Sequence, residues 1–233
     1  MEFEALGPDI WVADGPTALD LVIVPYPTRM TVVRLADGGL WVSSPIASSF
    51  DGLERLRRLG PVGHLVAATP RHIWRLEHWH ELFPEARLWT CAKGPATLGG
   101  RDLPAAVLRN RTATPWREEL PHAVYPGIGF EETTFFHRPS RTLLVEDIVQ
   151  CHEHHPARPA LNRLIRFGGV AAPGGVPRDV RAITRRDAAR RWAERVLSWD
   201  FDRLVMAHGP IIRTGAKRYL EARLDWLLTP RRR

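Results

Sequence analysis

The chain has 233 residues, 44% of them hydrophobic, which is enough for a sizeable core, and its net charge is +7. Basic and acidic residues are interleaved and only Arg231-Arg232-Arg233 forms a pure basic block, so the charge argues for a solvated terminus and against nucleic-acid binding. No apolar run is long enough to span a membrane and the start lacks a secretory pattern. Cys91 and Cys151 are too few for a disulfide framework, so the expectation is a soluble, cytoplasmic protein with reduced thiols.

Ile10-Trp11-Val12-Ala13 reads as a short strand stopped by Asp14-Gly15-Pro16, and Leu21 to Val24 as another, broken by Pro25 and Pro27. Met30 to Leu35 and Leu40 to Ser43 flank Ala36-Asp37-Gly38-Gly39, whose Asp-Gly centre predicts a β-hairpin. From Asp51 the spacing of Leu53, Leu56 and Leu59 becomes helical and ends at Gly60-Pro61. His64 to Ala68 is the next strand, Ile73 to Phe83 a helix stopped by Pro84, and Arg87 to Thr90 a strand. That unit implies parallel pairing through a right-handed crossover.

Lys93 to Pro121 shows no sustained period and is expected to be a long surface excursion. Thr133 to Phe136 and Thr142 to Val149 form a second hairpin around His137 to Arg141. Cys151 to Arg178, rich in Pro and Gly, reads as a loop around a short helix. The two excursions together are expected to rim a pocket. Thr184 to Trp199 is amphipathic, with Thr184 and Asp187 resembling a capping box, and Leu204 to Ala207 and Ala216 to Leu228 close one α/β domain spanning residues 1–233.

Three apolar runs end in polar residues. His64 to Ala68 leads to His72, Leu143 to Val149 carries Asp147, and Leu204 to Ala207 leads to His208. Strand ends can bring His72, Asp147 and His208 together, or the three are unrelated residues closing strands. His152, His154 and His155 offer ligand chemistry but read first as a solvated patch, and His78 and His80 as helix surface. Trp11, Trp41, Trp74, Trp79 and Trp89 read as core or pocket wall, and Cys151 as an inert thiol. Ser43, Ser44, Ser48 and Ser49 lack a nucleophile elbow.

The element order, the Tyr125-Pro126-Gly127 segment and Ala207-His208-Gly209-Pro210 resemble the metallo-β-lactamase fold, a four-layer αββα sandwich. The runs Phe136 to Val145, Ala172 to Asp179 and Trp199 to Arg203 are most similar to the uncharacterised DUF4336 family within it. Active members of that fold hold two metals, usually zinc, through a His-x-His-x-Asp-His loop, a later His, a bridging Asp and a final His. On this chain the loop becomes Ala67-Ala68-Thr69-Pro70-Arg71-His72 and the later His falls on Ile128. His72, Asp147 and His208 survive, which implies at most one zinc or iron ion. The catalytic candidates are then Asp147 and Arg71, in a hydrolase relative acting on a small, anionic substrate.

The alternative is a metal-free protein that keeps the fold to bind a small molecule or partner. Arg71 reverses the charge of an acidic ligand and either pairs with Asp147 or is an ordinary surface arginine. Neither nucleic acid nor membrane is expected as a partner, and homo-oligomerisation stays open.

Overall fold

The apolar runs of the sequence lack clean alternation because most of the central strands are buried on both faces. The structure, a computed structural model, describes residues 1–20, 24–92 and 104–229, with side chains in all of these except 17–20 and 24–26. One sheet has seven strands in chain order: β1 (Glu4–Gly7), β2 (Ile10–Asp20), β3 (Val24–Arg34), β4 (Leu40–Ser43), β5 (Val62–Ala67), β6 (Arg87–Cys91) and β7 (Ala106–Leu108). The other has four strands: β8 (His122–Pro126), β9 (Glu131–His137), β10 (Thr142–Val145) and β11 (Arg203–Met206), in the order β11-β10-β9-β8.

Strand parity divides the core into layers. Leu40, Val42, Leu65, Ala67 and Leu88 face a cluster with Leu53 and Leu56 of α1 (Phe50–Leu59) and Leu76 and Trp79 of α2 (Leu76–Leu82). Their strand neighbours Trp41, Val66 and Trp89 face the other way and meet Phe135, Leu144 and Val205 between the sheets. Leu143, Val145, Leu204 and Met206 then face a third cluster, on the far side of the second sheet.

In chain order the remaining helices are α3 (Pro159–Gly168), α4 (Arg178–Ala182), α5 (Arg186–Leu197) and α6 (Ala216–Leu228). Helices α5 and α6 bring Trp192, Val196, Leu220 and Leu224 to the third cluster. Helix, sheet, sheet, helix is therefore the observed layering, as the resemblance implies. Among the described residues no helix is long and apolar enough to cross a membrane.

The Ala36–Gly39 hairpin and the parallel β5–α2–β6 unit form as read, and β4–α1–β5 is a second parallel crossover. Four expectations are corrected. Asp14-Gly15-Pro16 does not stop β2, which continues to Asp20 because a register shift between Gly15 and Ala18 lets the ladder absorb the turn-prone residues. Pro25 and Pro27 lie within β3, opposite or beyond that shift, and residues 21–23 fall outside the described ones.

The described part of the Lys93 to Pro121 stretch is only partly a surface excursion, with Arg109, Asn110, Arg111, Arg117 and Glu118 exposed. It contains β7 and sends Leu108, Trp116 and Leu120 into the inter-sheet layer, while residues 93–103 lie outside the described ones. Thr184 does not cap α5; its hydroxyl donates to the Val180 carbonyl at 2.6 Å, and Arg185 occupies the cap position without a side-chain bond. Trp74 is exposed rather than packed. The basic block Arg231 to Arg233 lies outside the described residues.

Candidate metal centre

Parallel strands end at the same side of a sheet, so β10 and β11 deliver their following residues together: Leu144 pairs with Val205, and Val145 with Met206. Asp147 lies two residues beyond β10 and His208 two beyond β11. β5, in the facing sheet, is followed by Thr69 and a 3-10 turn, Pro70–His72, that ends in His72. The Thr69 hydroxyl accepts from the Arg71 amide at 2.9 Å and donates to Asp147 Oδ2 at 2.9 Å, tying that turn to the second sheet.

The three side chains converge. His72 Nε2 is 3.3 Å from His208 Nε2, His208 Nε2 is 3.2 Å from Asp147 Oδ1, and His72 Nε2 is 3.6 Å from Asp147 Oδ2. One ligand atom from each residue lies within 4.8 Å of the others. A tetrahedral ion with N and O ligands at about 2.0–2.1 Å separates its ligands by about 3.3 Å, so the donor set fits a single ion.

The far nitrogens fix the tautomers. His208 Nδ1 donates to the Pro27 carbonyl at 2.8 Å, and a carbonyl can only accept, so Nε2 is the His208 nitrogen that faces the centre. His72 Nδ1 lies 2.9 Å from Glu146 Oε2 and 2.8 Å from the Ser44 hydroxyl. The carboxylate likewise requires a proton on Nδ1. Ser43 donates to Glu146 Oε1 at 3.0 Å.

The electrostatics favour positive charge at the centre. Burial disfavours the His72 imidazolium, but the carboxylates of Asp147 and Glu146 outweigh it and hold its pKa well above the usual value. Burial also pushes Asp147 up, yet His72 and His208 hold it well below the usual carboxylate range.

Asp147 is oriented from behind by a residue that the sequence reading passed over. Glu132, fully buried in β9, accepts from the amides of Glu146 at 2.9 Å, Asp147 at 2.7 Å and Ile148 at 2.8 Å. Burial and the Asp147 charge push its carboxyl up to about 8, against the pull of those amides. Sequence reading also missed Glu146, Ser43, Ser44, Thr69 and Pro27. The parity of β9 would have flagged Glu132, because it shares an inward face with Phe136.

Arg71 does not pair with Asp147. Its guanidinium donates to Asp179 Oδ2 at 2.9 Å and lies over the Phe130 ring, because the side chain leaves the turn on its exposed side. Ala67 is buried at the end of β5, and Ile128, on the exposed surface, offers no ligand atom.

His152 is not solvated either. It is buried, its ring lies parallel to His208 at a centroid distance of 6.5 Å, and its Nε2 bonds to Gln150 Oε1 at 3.1 Å. His154 is exposed and His155 half-buried. The stretch from Cys151 thus borders the centre at its start, and Cys91 and Cys151 are both buried.

The family model described as "Domain of unknown function (DUF4336)" matches residues 8–164. Among solved structures, the metal-soaked flavodiiron core from Synechocystis is similar at 13% identity and a TM-score of 0.67, over 97% of this chain and 60% of that one. The flavodiiron protein from Giardia intestinalis gives 11% identity and a TM-score of 0.67 over 98% of this chain and 59% of that one. A metallo-β-lactamase from Hirschia baltica gives 11% and 0.64 over 99% of both chains. The likeness is one of fold, and the chain spans about 60% of the flavodiiron core's length. No curated protein matches the chain in sequence.

Proposed function

Because the chain belongs to the DUF4336 family and has the metallo-β-lactamase fold, we propose that it is a hydrolase relative with a reduced, single-ion centre at His72, Asp147 and His208. The observation that carries the reading is the donor set: two imidazoles whose Nδ1 atoms are held by acceptors and one buried carboxylate, 3.2–3.6 Å apart. Two His and one Asp suit zinc or non-haem iron, with positions left for water or substrate. Such an ion would supply Lewis acidity and a water deprotonated near neutral pH.

The chain's own residues perform the positioning. Glu146, with Ser43 behind it, holds the His72 ring; Pro27 holds His208; Thr69 and Glu132 hold Asp147. Asp147 also places a negative charge where a positive one must sit. Arg71 stands beside His72 on the exposed side of the turn, and by exchanging Asp179 for a ligand its donor fork serves a small, anionic substrate. This replaces the direct contact with Asp147 expected from sequence.

A metal-free binding protein is the second reading. It is favoured by the closure of the cluster on itself, with the His72 ring between the carboxylates of Glu146 at Nδ1 and Asp147 at Nε2. Elemental analysis of protein purified without chelator, followed by zinc and iron titrations of wild type and His72→Ala, separates the two. The single-ion centre predicts close to one equivalent, lost in His72→Ala. No binding by the wild type would leave the metal-free reading.

A further inference from the structure

His208 reaches the centre from the second sheet, yet two groups that hold it belong to β3 of the first. Pro27 supplies the carbonyl that accepts from His208 Nδ1. Arg29, two residues on and therefore on the same strand face, sends Nη1 to the carbonyls of Met206 at 2.9 Å and Gly209 at 2.7 Å. Those carbonyls bracket His208. Nε and Nη2 of the same guanidinium grip Asp14 Oδ1 at 2.7 Å and Oδ2 at 3.1 Å, and Asp14 is the residue registered opposite Arg29 on β2.

A guanidinium bonded on two sides has a fixed plane and little rotational freedom. Only 11% of the Arg29 side chain is exposed, so its bonds to the carbonyls face little competition from water. Gly209 completes the arrangement: its φ is +153°, and a Cβ there would stand 2.6 Å from Met206 Sδ and 3.0 Å from the Cys151 carbonyl. The loop after β11 therefore has one tight course, and Arg29 is the side chain that binds both its ends to the other sheet.

We infer that Arg29 is a positioning residue for His208: with Asp14 behind it, it holds the Met206 to Gly209 loop so that Pro27 selects the Nδ1–H tautomer and Nε2 is presented bare to the ion. The metal arm of this inference rests on the function proposed above; the tautomer arm does not. A charge acting only through the general field would orient neither ring nor loop, whereas the bonds to Met206 and Gly209 lock the backbone on either side of the imidazole.

The test uses full-length wild type and Arg29→Met, with imidazole 15N shifts recorded on metal-free protein and zinc affinity measured by titration. In wild type, His208 Nδ1 should show the shift of a protonated nitrogen held by the Pro27 carbonyl. In Arg29→Met the two nitrogens should move toward averaged shifts, while those of His122 and His137 stay in place. Zinc affinity should fall about 10- to 100-fold, as for other groups that orient a metal-bound histidine. Arg29→Lys, which keeps one donor, should lie between.

Unmoved His208 nitrogens in a folded Arg29→Met overturn the inference, whatever happens to zinc. Should that variant not fold, Arg29→Lys decides by the same shifts. If wild type binds no zinc but the His208 nitrogens move, the metal reading falls and the positioning role stands.

Discussion

Glu132 gives the sharpest stability test of how Asp147 is presented. Its carboxylate is the acceptor for three consecutive buried amides, those of Glu146, Asp147 and Ile148, at 2.7–2.9 Å. Glu132→Ala and Glu132→Gln are both neutral at every pH, so whatever charge Glu132 carries, its loss cancels between them. Glutamine keeps one carbonyl oxygen for the Asp147 and Ile148 amides, which share Oε2 in the wild type. Alanine leaves those two without an acceptor, at about 1–3 kcal/mol each, so it should be less stable than glutamine by about 2–6 kcal/mol. That is a large share of a folding free energy of about 5–15 kcal/mol. At about 2–4 °C per kcal/mol, thermal unfolding followed by circular dichroism should place the alanine midpoint at least about 4 °C below the glutamine one. Equal midpoints would refute the idea that Glu132 fixes the turn presenting Asp147.

His137 gives a pH prediction with a definite sign. Its Nδ1–H is donated to Ser140 Oγ at 2.7 Å, and its buried Nε2 has no hydrogen-bond partner among the described residues. Burial therefore lowers its pKa to about 4 from an ordinary 6.5, with Asp9 opposing. The neutral ring's contribution is complete above pH 6.5 and is lost as pH falls toward 4, by about 3 kcal/mol over that 2.5-unit gap. Urea unfolding should show wild type losing about that much more than His137→Leu between pH 7 and pH 4, and parallel losses would contradict it. Arg71→Ala removes a half-exposed pair with Asp179 and a cation–π contact with Phe130 and should change stability by no more than about 2 kcal/mol, measured by the same unfolding curves. A larger loss would mean that Arg71 supports the centre.

What was legible in the sequence follows from strand physics. Apolar runs ending in His72, Asp147 and His208 mark strands whose C-terminal ends share one side of the sandwich, and pairing places them together. The apolar run Leu143 to Val149 suggests one continuous strand, but β10 ends at Val145 and Ile148 and Val149 enter the core from a bend. The supporting groups were hidden because their partners are distant in sequence: Ser43 meets Glu146, Pro27 meets His208, and Thr69 meets Asp147. Ser43 and Ser44 were set aside for lacking a nucleophile motif, whereas their place is behind His72 and Glu146. Arg71 misled through charge, since its position on the exposed side of the turn lets it turn to Asp179. Trp116 lies in a stretch without period, yet it fills the layer between the sheets against Trp41 and Trp89.

The most direct test of the single-ion centre is anomalous diffraction from crystals of the protein grown with zinc and, separately, iron. The account predicts one anomalous peak, in contact with His72 Nε2, a carboxylate oxygen of Asp147 and His208 Nε2. No peak among these three residues, or a second ion bound beside Ala67 and Ile128, would contradict it.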